Sequence, residues 1–203
     1  MDVNLNILIL PFKRVMPNFA RIKLEGTSRL AHSVIPSFTN PNNMSIATGC
    51  PPVHHGIFGN FLYDPDTGDE VMMNGVRFLQ ASTIFSKYYE AGARIAMVTA
   101  KDKLRALLGA GVSFDESRAI CFSSERADQA TKLANGIENA SHWLGREVPE
   151  VYSGALSEFV LAAGCKLLEE WQPDVMHLST TVYIQHKFAP NERGAKEFPA
   201  MVD

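Results

Sequence analysis

The sequence predicts an α/β fold, a mostly parallel sheet with helices on both faces, and three observations carry that reading. Helical and strand patterns alternate from residue 82 onward. Two short apolar runs, Arg94–Thr99 and Asp174–Ser179, each follow a helical pattern and lead into a polar loop. The composition is that of an ordinary globular chain, 46% hydrophobic and 20% charged over 203 residues. A chain of this length buries roughly 70% of the surface that its unfolded form exposes, so no disulfide or metal staple is needed for it to fold.

Element by element, the first 15 residues read as one short strand around Leu5-Asn6-Ile7-Leu8-Ile9-Leu10. That run is too short to span a bilayer. It has no basic leader and no small-residue cleavage site, so neither a membrane partner nor export is expected. Ser33 to Asn60 is dense in Pro, Asn, Ser, Thr and Gly yet too apolar for a linker. Phe61–Tyr63 and Glu70–Met73 flank a turn-rich stretch, Asp64–Asp69, and read as a hairpin. Ser82 reads as the N-cap of a helix carrying Ile84, Phe85, Tyr88 and Tyr89 on one face, stopped by Gly92. The strand Arg94–Thr99 leads into a helix over Ala100–Leu108 with Gly109 beyond it. A further helix runs from Ala127 to Asn135 and ends at Gly136. Ser153 then reads as the cap of a longer helix through Leu156, Phe159, Val160, Leu167 and Leu168, terminated by Pro173, and the strand Asp174–Ser179 follows.

Several function classes are disfavoured at this level. The net charge is −3 and no Lys/Arg block occurs, which argues against an electrostatic nucleic-acid binder. The three cysteines, Cys50, Cys121 and Cys165, form no CxxC or Cys/His spacing, so a cysteine-built zinc site is excluded and reduced thiols in a cytoplasmic protein are expected.

Three polar loops fall beyond predicted strands, where parallel sheets carry function: Ser37–Asn43, Thr99–Lys103 and Ser179–Lys187. In the first, a hydroxyl ahead of a Pro/Asn turn and a helical segment stands where helix amides favour an anion. The plainer reading is a capped loop with Asx turns. In the second, Lys101 and Lys103 suit a dianionic ligand or an ordinary solvated helix start. In the third, His186 is a possible metal ligand or a histidine satisfied by hydrogen bonds. His54-His55-Gly56 reads as a turn, because adjacent side chains rarely converge on one ion.

Taken together, these strings resemble a known family. Pro36-Ser37-Phe38-Thr39-Asn40-Pro41-Asn42-Asn43-Met44-Ser45-Ile46-Ala47-Thr48-Gly49 is followed by Pro51-Pro52-Val53-His54-His55-Gly56-Ile57-Phe58-Gly59-Asn60. Glu70–Asn74, Val98–Gly109, Cys121–Glu125, Val151–Ser153, Leu156–Val160 and Leu178–Thr181 continue the match. The set resembles the phosphonoacetate hydrolases of the alkaline phosphatase superfamily, beside the type I phosphodiesterases and nucleotide pyrophosphatases. The resemblance runs from about residue 16 to the end, within one partial domain over residues 1–203 that is expected to be truncated at both ends.

What the resemblance implies is a three-layer, alkaline phosphatase-like sheet and the zinc-dependent hydrolysis of phosphonoacetate to acetate and phosphate. Two zinc ions would clamp the phosphoryl oxygens. Thr39 would be the metal-bound nucleophile that becomes transiently phosphorylated, Asn60 would bind a phosphonate oxygen, Lys101 and Lys103 would hold the carboxylate, and His186 would ligate a zinc. The sequence departs from the pattern at Val182, where the family carries a ligand Asp four residues before the His. A first-strand Asp is also unmatched: Asp2 precedes the apolar run rather than following it. The remaining ligands, an Asp-His pair and a later His, would lie beyond Asp203. Two alternatives therefore stand beside the hydrolase: a phosphonate- or phosphate-binding remnant without activity, and a phosphodiesterase or nucleotide pyrophosphatase. The ligand expected is a small phosphonate, and an open sheet edge predicts homo-oligomerisation or self-association.

Overall fold

The structure, a computed structural model, describes residues 15–114, 118–189 and 192–203. The strand expected at the start of the chain rests on residues 1–14 and lies outside the described residues, as does Asp2.

Helix α1 (Pro17–Glu25) opens on a proline, whose fixed φ suits a first turn. Its first free amides are met from far along the chain: the Asp203 carboxylate accepts from Asn18 N at 3.0 Å and Phe19 N at 2.8 Å. Helices α2 (Thr39–Thr48) and α3 (Pro52–His55) follow, each closed by a left-handed glycine, Gly49 or Gly56. The hairpin is as expected: β1 (Phe61–Tyr63) pairs antiparallel with β2 (Glu70–Met72), Phe61 opposite Met72.

The frame of the molecule is a parallel three-stranded sheet in the order β4-β3-β5. It comprises β3 (Ile95–Thr99), β4 (Ala119–Ser123) and β5 (Val175–Ser179), with α4 (Ile84–Glu90) ahead of β3 and α5 (Asp102–Leu108) after it. Between β4 and β5 come a 3₁₀ turn (Ser124–Gln129), α6 (Lys132–Asn135), α7 (Ala140–Leu144) and α8 (Ala155–Glu170). Helices α9 (Tyr183–Lys187) and α10 (Arg193–Val202) complete the chain.

Successive side chains on a strand point to opposite faces, and β3 sorts its residues accordingly. Ile95 and Met97 pack with Leu104, Leu107 and Leu108 of α5, Phe85 of α4, and Met44 and Ala47 of α2. Ala96 and Val98 pack on the other side, with Ile120 and Phe122 of β4 and with Leu156, Phe159, Val160, Ala163 and Leu167 of α8. The result is three layers. Helix α8 lies close to the sheet at Gly164, where an added Cβ would stand 2.5 Å from Leu178 Cδ1. The alkaline phosphatase-like α/β reading accordingly holds, whereas several boundaries differ from expectation.

Helix α4 is capped by Thr83, not Ser82: the Thr83 hydroxyl accepts from Ser86 N at 3.1 Å. Its inward face is Phe85, with Tyr89 partly buried behind it, while Ile84 and Tyr88 are exposed. The helix expected over Ala127–Asn135 is two turns broken at extended Ala130, because Thr131 caps the second by accepting from Ala134 N at 3.3 Å. Ser153 does not cap α8, since its hydroxyl donates to Glu150 O at 2.7 Å and Gly154 takes the cap position. Helix α5 starts two residues later than expected: Lys101 is its extended N-cap residue, and Ala100 N donates to Ser179 O at 2.7 Å. Strand β4 was not expected at all, although Ala119-Ile120-Cys121-Phe122 is a buried apolar run. No described helix is long and apolar enough to cross a membrane.

Candidate functional site

The parallel register sets Thr99, Ser123 and Ser179 side by side at the carboxyl edge of the sheet. The chain beyond each strand is laced to its neighbours. Ser124 Oγ donates to Ala100 O and Leu156 O, each at 3.3 Å, and Glu125 N donates to Ala100 O at 3.3 Å. Thr99 Oγ1 donates to Lys101 O at 2.9 Å, which holds the Lys101 backbone extended as the cap residue of α5.

Asp102, between the two lysines, is turned inward. Its Oδ1 accepts from Arg105 Nε at 2.6 Å and Ser123 Oγ at 3.0 Å, and Arg126 Nη1 lies 4.0 Å from Oδ2. Burial alone would raise the pKa of its carboxyl, but the Arg105 bond and charge, Ser123 and Arg126 outweigh it and hold the group below its ordinary range. The amide of Asp102 donates to Glu125 Oε2 at 3.2 Å. This network neutralises Asp102 locally and leaves the Lys101 and Lys103 side chains to the cleft.

On the facing side stands α2, with Thr39 as its first residue. Phe38 is the N-cap, in extended backbone (φ −80°, ψ 156°), and offers no side-chain bond to the helix amides. The amides around Thr39 are therefore not occupied by a cap. Two amides brace this turn: Asn42 Nδ2 donates to Phe38 O and Asn43 Nδ2 to Thr39 O, both at 2.9 Å. The buried Asn40 donates to Met73 O at 3.3 Å, and Met73 N donates to Asn60 O at 2.8 Å, so the hairpin fixes Asn60 beside α2.

These segments close a cleft of about 400 Å³ lined by Thr39, Asn60, Lys101 and Lys103, together with Asn40, Glu125, Tyr152 and Thr180 among others. Four residues singled out in the sequence thus meet at one place. His186 and Val182 do not line it. Val182 is the N-cap of α9 and half exposed; His186 is exposed one turn on, its amide donating to Val182 O at 3.2 Å. His55 is a buried part of the turn that ends at Gly56: Nδ1 accepts from Ile57 N at 3.1 Å and Nε2 stands 3.0 Å from Ser45 Oγ. Burial lowers the His55 pKa, outweighing nearby backbone groups that favour protonation. Burial pushes the Cys121 thiol up to about 12, which removes it as a nucleophile.

Glu125, Val151 and Tyr152 fall within strings that carry the resemblance, but the sequence assigned them no place in the site. Each lies in a loop whose position depends on a distant strand or helix, and no spacing along the chain signals that.

The sequence matches the type I phosphodiesterase / nucleotide pyrophosphatase family over residues 8–203. It is also similar to two solved structures of phosphonoacetate hydrolase from Sinorhizobium meliloti 1021. One, in complex with phosphonoformate, is 66% identical with a TM-score of 0.89, over 93% of this chain and 46% of that chain. The other, in complex with phosphonoacetate, is 65% identical with the same TM-score and coverage. The chain thus spans about half the length of the solved structures it matches.

Proposed function

Because the chain belongs to the type I phosphodiesterase / nucleotide pyrophosphatase family, we propose that its cleft is a phosphonoacetate site and that the chain is the substrate-holding part of a phosphonoacetate hydrolase. One observation carries this reading: Thr39, Asn60, Lys101 and Lys103, drawn from three separate segments, line one cleft at the carboxyl end of the sheet. Support comes from the solved relatives, whose ligands each join a phosphonate to a carboxylate.

The charges fit such a molecule end for end. The two ammonium groups suit the carboxylate, and the Asn60 amide with the uncapped amides of α2 suits the phosphonate. In the reaction, Thr39 Oγ1 attacks phosphorus as the carbon–phosphorus bond breaks. The electron pair passes to the departing carbon and spreads onto the carboxylate as an enediolate. Fixed ammonium groups there stabilise the transition state more than the ground state. The carbon takes up a proton from solvent, balancing the one that the Thr39 hydroxyl gives up, and leaves as acetate; water then hydrolyses the phosphothreonine to phosphate and the free threonine.

Zinc is the metal that the family resemblance brings with it, and the donors among the described residues do not fit it. Val182 carries no lone pair, and His186 is exposed on α9 and does not line the cleft. Among the described residues no group of three or more His, Cys, Asp or Glu could hold a metal ion. A threonine hydroxyl is a weak nucleophile without activation, so Val182 favours a second reading, phosphonate binding without turnover.

Phosphate release from phosphonoacetate, measured alongside calorimetric binding, tests both. Release that Thr39→Ala abolishes while binding persists establishes the hydrolase. Binding with no release establishes the second reading, and neither binding nor release refutes the site.

A further inference from the structure

Val151 and Tyr152 also line the cleft, beside the four residues proposed to hold the ligand. Both stand against Lys101. The Lys101 Nζ donates to Val151 O at 3.1 Å and lies 5.2 Å from the centre of the Tyr152 ring. The two contacts use one of three ammonium donors and one side of the cation. They leave the remaining donors for an anion.

The segment that makes them is itself anchored. Ser153 Oγ closes a turn on Glu150 O at 2.7 Å. Gly154 lies so close to α9 that an added Cβ would stand 3.2 Å from Ile184 Cδ1. Ser157 Oγ, one turn into α8, accepts from Thr181 N at 3.1 Å. Lys103, by contrast, is exposed on α5 and shares neither contact. A lysine stem loses several rotatable bonds' freedom when its ammonium meets a ligand, and a stem already held loses less.

We propose that Val151 and Tyr152 form a strap that positions Lys101 for an anionic ligand, with Tyr152 as the positioning residue. The proposal rests on the reading of the cleft as a phosphonoacetate site. It divides the labour of the two lysines: Lys101 is set in advance, and Lys103 closes on the ligand.

The test is NMR on the full chain with isotope-labelled lysine, comparing wild type, Tyr152→Phe and Tyr152→Leu, first free and then titrated with phosphonoacetate. A ring at this distance moves the Lys101 methylene resonances upfield. The expected result is that the displacement survives in Tyr152→Phe and disappears in Tyr152→Leu. Binding should weaken roughly three- to fivefold in Tyr152→Leu, the size of an exposed cation–ring contact, and stay within twofold in Tyr152→Phe. An unchanged Lys101 resonance in Tyr152→Leu overturns the strap. Tighter or unchanged binding in Tyr152→Leu, or equal weakening in both variants, overturns its role toward the ligand. Failure of the wild-type chain to bind phosphonoacetate refutes the reading of the cleft. The strap is then judged on the resonances of the free chain alone.

Discussion

The loop after β3 and the loop after β5 leave the same edge of the same sheet, in matching register, yet they are built differently. Beyond β3, Asp102 is held by Arg105, Ser123 and Glu125 and the Lys101 backbone by Thr99, and the two lysines face the cleft. Beyond β5, Ser157 holds Thr181, but the chain then runs onto a short helix whose cap residue is half-exposed Val182 and whose histidine faces solvent. The difference teaches that one loop is braced so that two lysines line the cleft, while the other, among the described residues, gathers no group of metal-ligating side chains.

The comparison can be broken most forcefully at Asp102. Asp102→Ala leaves Arg105 and the Ser123 hydroxyl without their partner and should cost about 1–3 kcal/mol of stability, visible as a lower Tm. Val182→Ala should stay within about 0.5 kcal/mol, as exposed positions do. Equal losses from the two variants would erase the contrast.

Next in size is ligand affinity. Lys101→Ala and Lys103→Ala should each weaken phosphonoacetate binding about tenfold, the worth of a hydrogen bond to a charged group, whereas His186→Ala leaves it unchanged. Titration calorimetry checks this.

Acid should act through buried His55 and part-buried His177. Burial holds His55 and His177 below the ordinary value of 6.5. In the fold they stay neutral while in the unfolded chain they charge, so their contribution is complete above about 6.5 and declines as pH falls from there toward the folded value. The Nε2 of His177 is buried without a hydrogen-bond partner among the described residues, and its ring packs on Phe85, 5.3 Å between centres. Thermal melts from pH 7 to pH 5 should show falling Tm, and His177→Phe should flatten the slope. A slope unchanged by that substitution would remove His177 from the account. The smallest expected effect is that of zinc. Excess zinc should leave Tm unmoved, because a ligand that binds the fold raises it by mass action.

Much of this architecture was legible before the structure. The hairpin, β3, β5 and the long α8 declare themselves through alternation and apolar runs, and Thr39, Asn60, Lys101 and Lys103 through the strings around them. Finer features were hidden where two neighbours compete for one role. Ser82 and Thr83 are both good caps, and only the backbone shows that Thr83 reaches Ser86 N. Ser153 looks like a cap, yet its hydroxyl is occupied by Glu150 O. Tyr152 lies far from Lys101 in sequence, and only the return of the chain before α8 brings the ring to the ammonium. In the same way the inward turn of Asp102 depends on Ser123, a residue of β4, the strand that the sequence pattern passes over.

The central proposal is that Lys101 and Lys103, in the loop after β3, supply the main hold on phosphonoacetate, through its carboxylate. Calorimetric titration of phosphonoacetate into the metal-free chain, compared with Lys101→Ala/Lys103→Ala, tests it most directly. The account predicts saturable binding to the wild-type chain and its near-complete loss in the double variant. Binding that survives the loss of both lysines, or that appears only when zinc is added, would contradict it.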